Sequence, residues 1–315
     1  MGNLKVGVVG IGHLGTYHLE KYDKIDGCVI SGVADPDSER AVSAAERYGC
    51  RVCTDYRDLV GELEAVSIAT PTVTHHAIAR DFLDAGVDVL LEKPMTLTLE
   101  EADDLIRRAE MGGRVLQVGF IERFNPAVIA LEKVIGRPLF IEAHRLHPFN
   151  SRGTDVDVVL DLMIHDLDII LAFADSPVRK IDAVGVSVLS DKVDIANVRI
   201  SFESGCVANI TASRITGKKL QKIRFFGFEG YHSLDYAERE LVSYARKTNA
   251  AGGTEIVLRD LDIHQHDPLE AEIRHFVESV RTRTKPMVSG REGRNSLELA
   301  LRILEKIERE RRALI

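Results

Sequence analysis

An apolar run, Leu4–Val9, leads straight into Gly10-Ile11-Gly12-His13-Leu14-Gly15 and then into a helical pattern. No other feature constrains the fold of this chain so strongly. Gly10 permits the tight turn and Gly12 lets the backbone approach a pyrophosphate. Gly15 lets the helix pack closely on the strand. The helix start adds unpaired N–H groups and a partial positive charge for phosphates. Asp35 follows at the end of a second apolar run, 20 residues after Gly15, where a carboxylate reaches a ribose 2′-hydroxyl. That carboxylate would repel a 2′-phosphate, and Pro36 and Asp37 add no cation, so NAD is expected over NADP.

The turn belongs to a repeating pattern. Strand-like runs at Leu4–Val9, Val29–Ala34, Ala65–Ala69, Val87–Leu91 and Val115–Val118 alternate with helical patterns near Gly15–Lys24, Ser38–Tyr48, Thr74–Ala85 and Thr98–Met111. Continuous apolar strands between amphipathic helices predict a parallel sheet covered on both faces. Thr98 and Glu101 form a capping box that starts the helix after Lys93. Lys93 therefore sits in a strand-to-helix loop at the carboxyl edge of the sheet, where open α/β sheets bind ligands. Pro94 biases it to an extended conformation.

Beyond Gly119–Gly136 the texture changes. A long helix is expected over Asp155–Ala174. Strands at Ile181–Leu189, Val193–Phe202, Cys206–Ser213, Ile223–Gly227, His232–Leu234, Glu240–Tyr244 and Glu255–Leu258 follow without intervening helices. Strands in that order predict a mostly antiparallel sheet. Two helices close the chain, Pro268–Arg283 with Asp267 as N-cap, and Arg294–Leu314. The expected division is a Rossmann dinucleotide-binding domain over 1–122 and an α+β domain over 123–315, whose last helix, about 293–314, packs back on the first domain.

The Asp155–Ala174 stretch carries a polar stripe on an otherwise apolar helix. At about 100° per residue, Asp157, Asp161, His165 and Asp168 fall within an arc of about 80°, so they face a cavity, an interface or paired partners. Thr154 and Asp157 fit an acidic capping box, and Asp166 lies opposite the stripe with no assigned partner. Asp161 can orient the His165 imidazole and tune it as a general acid/base. The competing readings are a satisfied core pair and a metal site built from His165, Asp161, Asp168 and His144 or His147. Lys93 likewise has two readings, an electrostatic holder for a substrate oxygen or one half of an ion pair.

Composition excludes several classes. Among 315 residues, 41 Lys and Arg stand against 49 Asp and Glu, a net charge of −8 that disfavours nucleic acid as partner. No apolar run approaches the roughly 18 residues of a membrane span. The N-terminus shows neither a secretory nor a myristoylation pattern, so a cytoplasmic protein is expected. Cys50-x-x-Cys53 lacks a second pair or a nearby histidine, and the four cysteines read as free thiols. A methyltransferase shares a glycine turn and an acid after strand two, but has no evident use for Lys93.

Taken together, Gly10–Gly15, Asp35, Ala69-Thr70-Pro71 with His75, Glu92-Lys93-Pro94, Gly119-Phe120 leading to Arg123-Phe124-Asn125-Pro126, Asp161-x-x-x-His165 and Val288-Ser289-Gly290-Arg291-Glu292-Gly293 resemble the glucose–fructose oxidoreductase / inositol dehydrogenase / MocA family over essentially the whole chain. The resemblance implies a Rossmann domain with an α/β domain whose open sheet mediates a homodimer or homotetramer, and oxidation of a sugar or polyol carbinol with NAD. It implies that Lys93 and His165 flank the reacting carbon with Asp161 beside them, that the Lys93–Pro94 bond is cis, and that Thr70, Pro71, His75, Glu92, Lys93 and Arg123 join the turn around the cofactor. Many relatives carry a glycine cluster before the Asp-x-x-x-His helix; here the segment reads Phe149 through Asp157 without one. The run from Arg152 through Asp168 looks like the branch acting on UDP-N-acetylglucosamine at its 3-hydroxyl for lipid A synthesis, with Arg152 at the substrate. Arg123, Arg145, Arg152, Arg214, Lys218 and Lys219 are candidate cations for a diphosphate. The alternatives are a dehydrogenase of a simple sugar or inositol, and an NAD-binding regulator without chemistry.

Overall fold

The computed structural model describes residues 2–149, 156–249 and 252–313. In chain order it contains β1 (Leu4–Val9), α1 (His13–Tyr22), β2 (Cys28–Ala34), α2 (Ser38–Tyr48), β3 (Arg51–Cys53), β4 (Ala65–Ile68), α3 (Thr72–Asp84), β5 (Asp88–Glu92), α4 (Leu99–Gly112), β6 (Leu116–Gly119) and α5 (Pro126–Glu132). It continues with β7 (Phe140–Leu146), α6 (Ile164–Ala174), β8 (Val178–Val186), β9 (Ile195–Phe202), β10 (Val207–Ser213), β11 (Leu220–Gly227), β12 (Gly230–Asp235), β13 (Glu240–Thr248), β14 (Thr254–Arg259), α7 (Pro268–Thr282) and α8 (Gly290–Ala313).

The chain divides into two compact units. One runs to Ile121 and takes in Asp267–Asn295; the other holds Glu122–His266 and the chain from Ser296 on. The expected single cut at 122/123 therefore meets a chain that returns to its first unit. Helix α7 explains the return, because Leu269, Ile273, Phe276, Val277 and Val280 join Leu19, Tyr22, Val6 and Leu90 in one buried cluster. At about 1.5–3 kcal/mol for each large apolar side chain removed from water, that contact outweighs the length of the connection. Helix α8 starts in the first unit, where Gly293 leaves room for Val118 and Met95, and its later turns belong to the second, where Ile307 meets Gly185.

The first unit holds a parallel sheet in the order β3-β2-β1-β4-β5-β6, as the alternating pattern predicts. The Thr98–Glu101 capping box is formed at the start of α4. The second unit holds an eight-stranded sheet, β14-β13-β12-β11-β7-β10-β9-β8. It is antiparallel except that β7 runs parallel to β10. Strand β7 lies at the centre of this sheet, yet the periodicity does not announce it. Its inward positions are Ile141, Ala143 and Arg145, and the arginine interrupts the apolar alternation.

Candidate active site

In the first unit the glycine turn takes the shape its sequence requires. Gly10 has φ +89°, a left-handed conformation costly for other residues, and a Cβ there would lie 2.7 Å from the Ala69 carbonyl oxygen. A Cβ on Gly15 would fall 1.8 Å from the Gly10 carbonyl oxygen, so α1 can approach β1 only with glycine at that position. Gly12 differs from both: nothing lies within 4 Å of its missing side chain, and its backbone borders open space. The Asp35 carboxylate accepts the Ile11 N–H at 2.6 Å and the Asp37 N–H at 2.8 Å. It shapes the turn, and each oxygen keeps a further lone pair.

A cleft of about 920 Å³ opens there, lined by Gly10, Gly12, Asp35, Arg40, Tyr56 and Thr70 among others. These groups fit NAD, with bare backbone at a helix start for the pyrophosphate and a carboxylate for a ribose hydroxyl. Arg40 is a cation near Asp35 that the sequence spacing does not reveal, and Asp37 holds it at 3.0 Å. His13 and Leu14 are exposed on the first turn of α1, where His13 packs edge-on against Tyr17.

The lysine turn follows β5 directly. Lys93 is half-buried and the Lys93–Pro94 bond is cis. His75, expected among the cofactor contacts, is fully buried instead. Its ring nitrogens lie 3.0 Å from the Pro94 carbonyl and 2.8 Å from that of Thr70, so it ties the lysine turn to the Thr70–Pro71 loop. Burial pulls its pKa below the usual imidazole range, while those two carbonyls and Glu92 act the other way. Glu92 is also buried and lies 3.2 Å from His18 Nε2, a fully buried histidine that no motif marks.

In the second unit, Asp161 and His165 are half-buried at the start of the apolar helix. That helix is not the uniform α-helix expected. Val159–Met163 form a π-helical turn before α6, which widens the backbone at Asp161 and changes its angle to His165. Asp157 Oδ1 accepts the Val193 N–H at 2.8 Å. Thr154 and Arg152 lie outside the described residues, as does the expected helix start at Asp155.

Two of the candidate phosphate cations are committed elsewhere. Arg145 is buried, donating to both oxygens of Asp166 at 2.9 and 3.1 Å and to Glu122 at 3.0 Å, beneath the Tyr236 ring. This pair gives Asp166 the partner that the helical stripe left unassigned. Despite full burial, the Asp166 and Glu122 charges hold the Arg145 pKa above its usual range. Arg214 is buried too, donating to the Val193 carbonyl at 3.0 Å and lying 3.2 Å from Asp194. Arg123 belongs to the second unit, its guanidinium 4.0 Å from Asp168.

Lys218 and Lys219 are exposed, on a loop that Thr216 anchors by donating to the His147 carbonyl at 3.0 Å. His147 itself sits at the end of β7 with Nε2 2.7 Å from Gln221 Nε2. Burial, Lys219 and Arg145 lower its pKa, and Asp161 opposes them. His147 thus lies within electrostatic reach of Asp161. His144 alternates with inward Ala143 and Arg145 and takes the other face of the sheet. Among the described residues no three His, Cys, Asp or Glu side chains gather to hold a metal.

A dinucleotide cleft in one unit and a lysine at the carboxyl edge of the same sheet define an NAD-binding oxidoreductase. Two family models match: the oxidoreductase family with NAD-binding Rossmann fold, over residues 4–120, and the GFO/IDH/MocA C-terminal domain, over residues 129–233. The chain is 38% identical over 310 residues to UDP-N-acetylglucosamine 3-dehydrogenase from Acidithiobacillus ferrooxidans, covering 98% of both chains. The solved structure of that enzyme superposes with a TM-score of 0.89 over 98% of this chain and 99% of that one. A myo-inositol 2-dehydrogenase from Thermotoga maritima is 26% identical over 329 residues, 98% of this chain and 97% of that one. The chain belongs to the GFO/IDH/MocA family of oxidoreductases. Among the described residues no helix is long and apolar enough to cross a membrane.

Proposed function

We propose that this chain oxidises the 3-hydroxyl carbon of UDP-N-acetylglucosamine, the product being a 3-keto sugar for amination in lipid A synthesis. The observation that carries this reading is the end-to-end identity with a dehydrogenase of that name, 38% over 98% of both chains. The exposed Lys218 and Lys219 add cations for a diphosphate once Arg145 and Arg214 are set aside as structural. Arg152 joins them as a candidate from outside the described residues. A simple sugar or inositol is the second reading, favoured by the inositol dehydrogenase relative.

When bound, NAD accepts the hydride from the carbinol carbon. Gly10 through Gly15 hold the pyrophosphate, with the Gly12 backbone in the open cleft, and Asp35 takes the ribose hydroxyl. Thr70 and Pro71 line the same cleft, and His75 and Glu92 support the lysine turn from beneath. Lys93 donates to the substrate oxygen and stabilises the alkoxide charge that develops there. His165, oriented by Asp161, takes the hydroxyl proton. Arg123 completes the site through Asp168.

The chain acts as a homo-oligomer through the outer face of its second sheet. Phe140, Phe226, Tyr231 and Tyr244 form a row across that face at centroid spacings of 5.6, 4.9 and 6.1 Å. Exposed Val184, Val186, Ile256 and Leu258 continue it. A cytoplasmic location follows from the nucleotide-sugar substrate.

The test is NADH formation from NAD with UDP-N-acetylglucosamine, inositol and simple hexoses in parallel, with a ketone trap because alcohol oxidation by NAD is uphill near neutral pH. Turnover with the nucleotide sugar alone supports the first reading, and turnover with inositol alone supports the second. NAD binding without turnover on any of them would replace both by a regulator.

A further inference from the structure

Beneath the lysine turn, the first unit buries more ionisable groups than the reaction above uses. Glu272, in the second turn of α7, is fully buried, and neither carboxyl oxygen has a hydrogen-bond partner among the described residues. The groups facing it come from three elements. Glu92 of β5 and Tyr22 of α1 lie within electrostatic reach. Gln117 of β6 donates its side-chain N–H to the Glu272 backbone carbonyl at 3.1 Å while its own Oε1 stays unpaired. The Tyr22 hydroxyl pairs with Ser67 at 2.8 Å. His18 of α1, also fully buried, places Nε2 3.2 Å from Glu92 Oε1. Glu92 accepts the Lys93 N–H at 3.3 Å, and Gly119 makes room for it, since a Cβ there would lie 2.7 Å from Oε1.

Two carboxylates in one dry site cannot both ionise at modest cost. The proton goes to the acid whose charge is worse supported. Glu92 keeps some exposure, a facing imidazole and a backbone N–H; Glu272 has none of these. We propose that Glu272 is a positioning residue acting through Glu92: the two acids hold one negative charge, carried by Glu92 beside Lys93, and Glu272 keeps the proton. Burial first, and the Glu92 charge second, raise the Glu272 pKa well above the carboxylate range. The link to catalysis rests on the Lys93 reading; the charge assignment does not.

The sign of the pH dependence separates the outcomes. A carboxyl whose folded pKa is raised opposes folding increasingly as pH climbs above its unfolded value, about 4.3 for glutamate. Glu272→Gln, uncharged at every pH, should therefore raise Tm relative to the native chain, with a gain that grows from pH 5 to pH 8. The same substitution in a Glu92→Gln background should gain less, because the competing charge is gone. In turnover, Glu92→Gln leaves Glu272 free to take up the charge, so the double variant should lose kcat by about threefold or more beyond the product of the single losses. A Tm that falls on Glu272→Gln, more at pH 8 than at pH 5, would show that Glu272 is the anion and overturn the proposal. Equal gains in both backgrounds, or strictly multiplicative kcat losses, would also overturn it. Infrared difference spectra of the native chain against Glu272→Met read the same charge without relying on the Gln variant: a protonated-carboxyl band at pH 7 is expected, and a carboxylate band would contradict it. Absence of turnover on every sugar would remove the Lys93 reading while leaving the stability and infrared results decisive.

Discussion

The two units hold their candidate residues by different physics. In the first, backbone does most of the holding: a left-handed Gly10, a glycine contact at Gly15, and an aspartate that accepts two main-chain N–H groups. In the second, buried ion pairs fix the helix that carries Asp161 and His165. Arg145 clamps Asp166 on the same helix, and Arg214 and Asp194 pin the strands beside it. Backbone geometry is written in glycine spacing and shows in a sequence. An ion pair between distant segments does not, because either partner alone looks like surface charge.

The strongest break falls on the second unit. Arg145→Ala strands Asp166 and Glu122 in a buried site and should cost about 3–5 kcal/mol, read as a lower urea midpoint. Replacing Asp166 by leucine in the same chain should recover part of that loss. In the first unit, Gly15→Ala drives a Cβ onto the Gly10 carbonyl. At about 1–3 kcal/mol for overpacking, the urea midpoint should fall, and the displaced turn should also weaken NAD binding, measurable by titration. Asp35→Ala is milder still. It should weaken NAD about tenfold and leave NADP level or improved, because Arg40 stays in the cleft; an unchanged NAD to NADP ratio would mean the ribose contact is misplaced.

The effect most specific in pH falls at Asp194. Burial raises the pKa of Asp194, but the Ser190 hydroxyl and the N–H groups of Leu189, Ser190 and Val188 outweigh it and hold the carboxyl well below its ordinary range. A depressed carboxyl stabilises the fold above its unfolded pKa, about 3.9, and that stability is lost as pH falls through the folded value. Asp194→Asn should therefore lower Tm at pH 7, with a deficit that shrinks once the buffer drops below about pH 4. A deficit constant with pH would place the loss in shape rather than charge. The dependence runs opposite to that of Glu272, whose pKa is raised.

The sequence carries the first sheet almost in full, since five of its six strands are short apolar runs between amphipathic helices; β3, three residues that begin with an arginine, does not show. It shows the lysine turn and the Asp-x-x-x-His pair for the same local reason. It does not show β7, whose inward Arg145 breaks the alternation until Asp166 is placed opposite. The π turn at Val159–Met163 is hidden because a helix apolar on nearly every side carries too little periodicity to betray an extra residue. Helix α7 announces a buried face through Leu269, Ile273, Phe276 and Val280, but amphipathicity never says against which sheet that face packs. Glu272 on the same helix reads as solvated charge until burial is known.

The central claim is that Lys93 handles the substrate oxygen and contributes little to NAD affinity. Turnover and NAD binding measured side by side on Lys93→Ala test it most directly. The account predicts a kcat lower by about 10²–10⁴-fold with an NAD dissociation constant changed by less than about twofold. Turnover at the native rate, or turnover and NAD binding lost together, would contradict it.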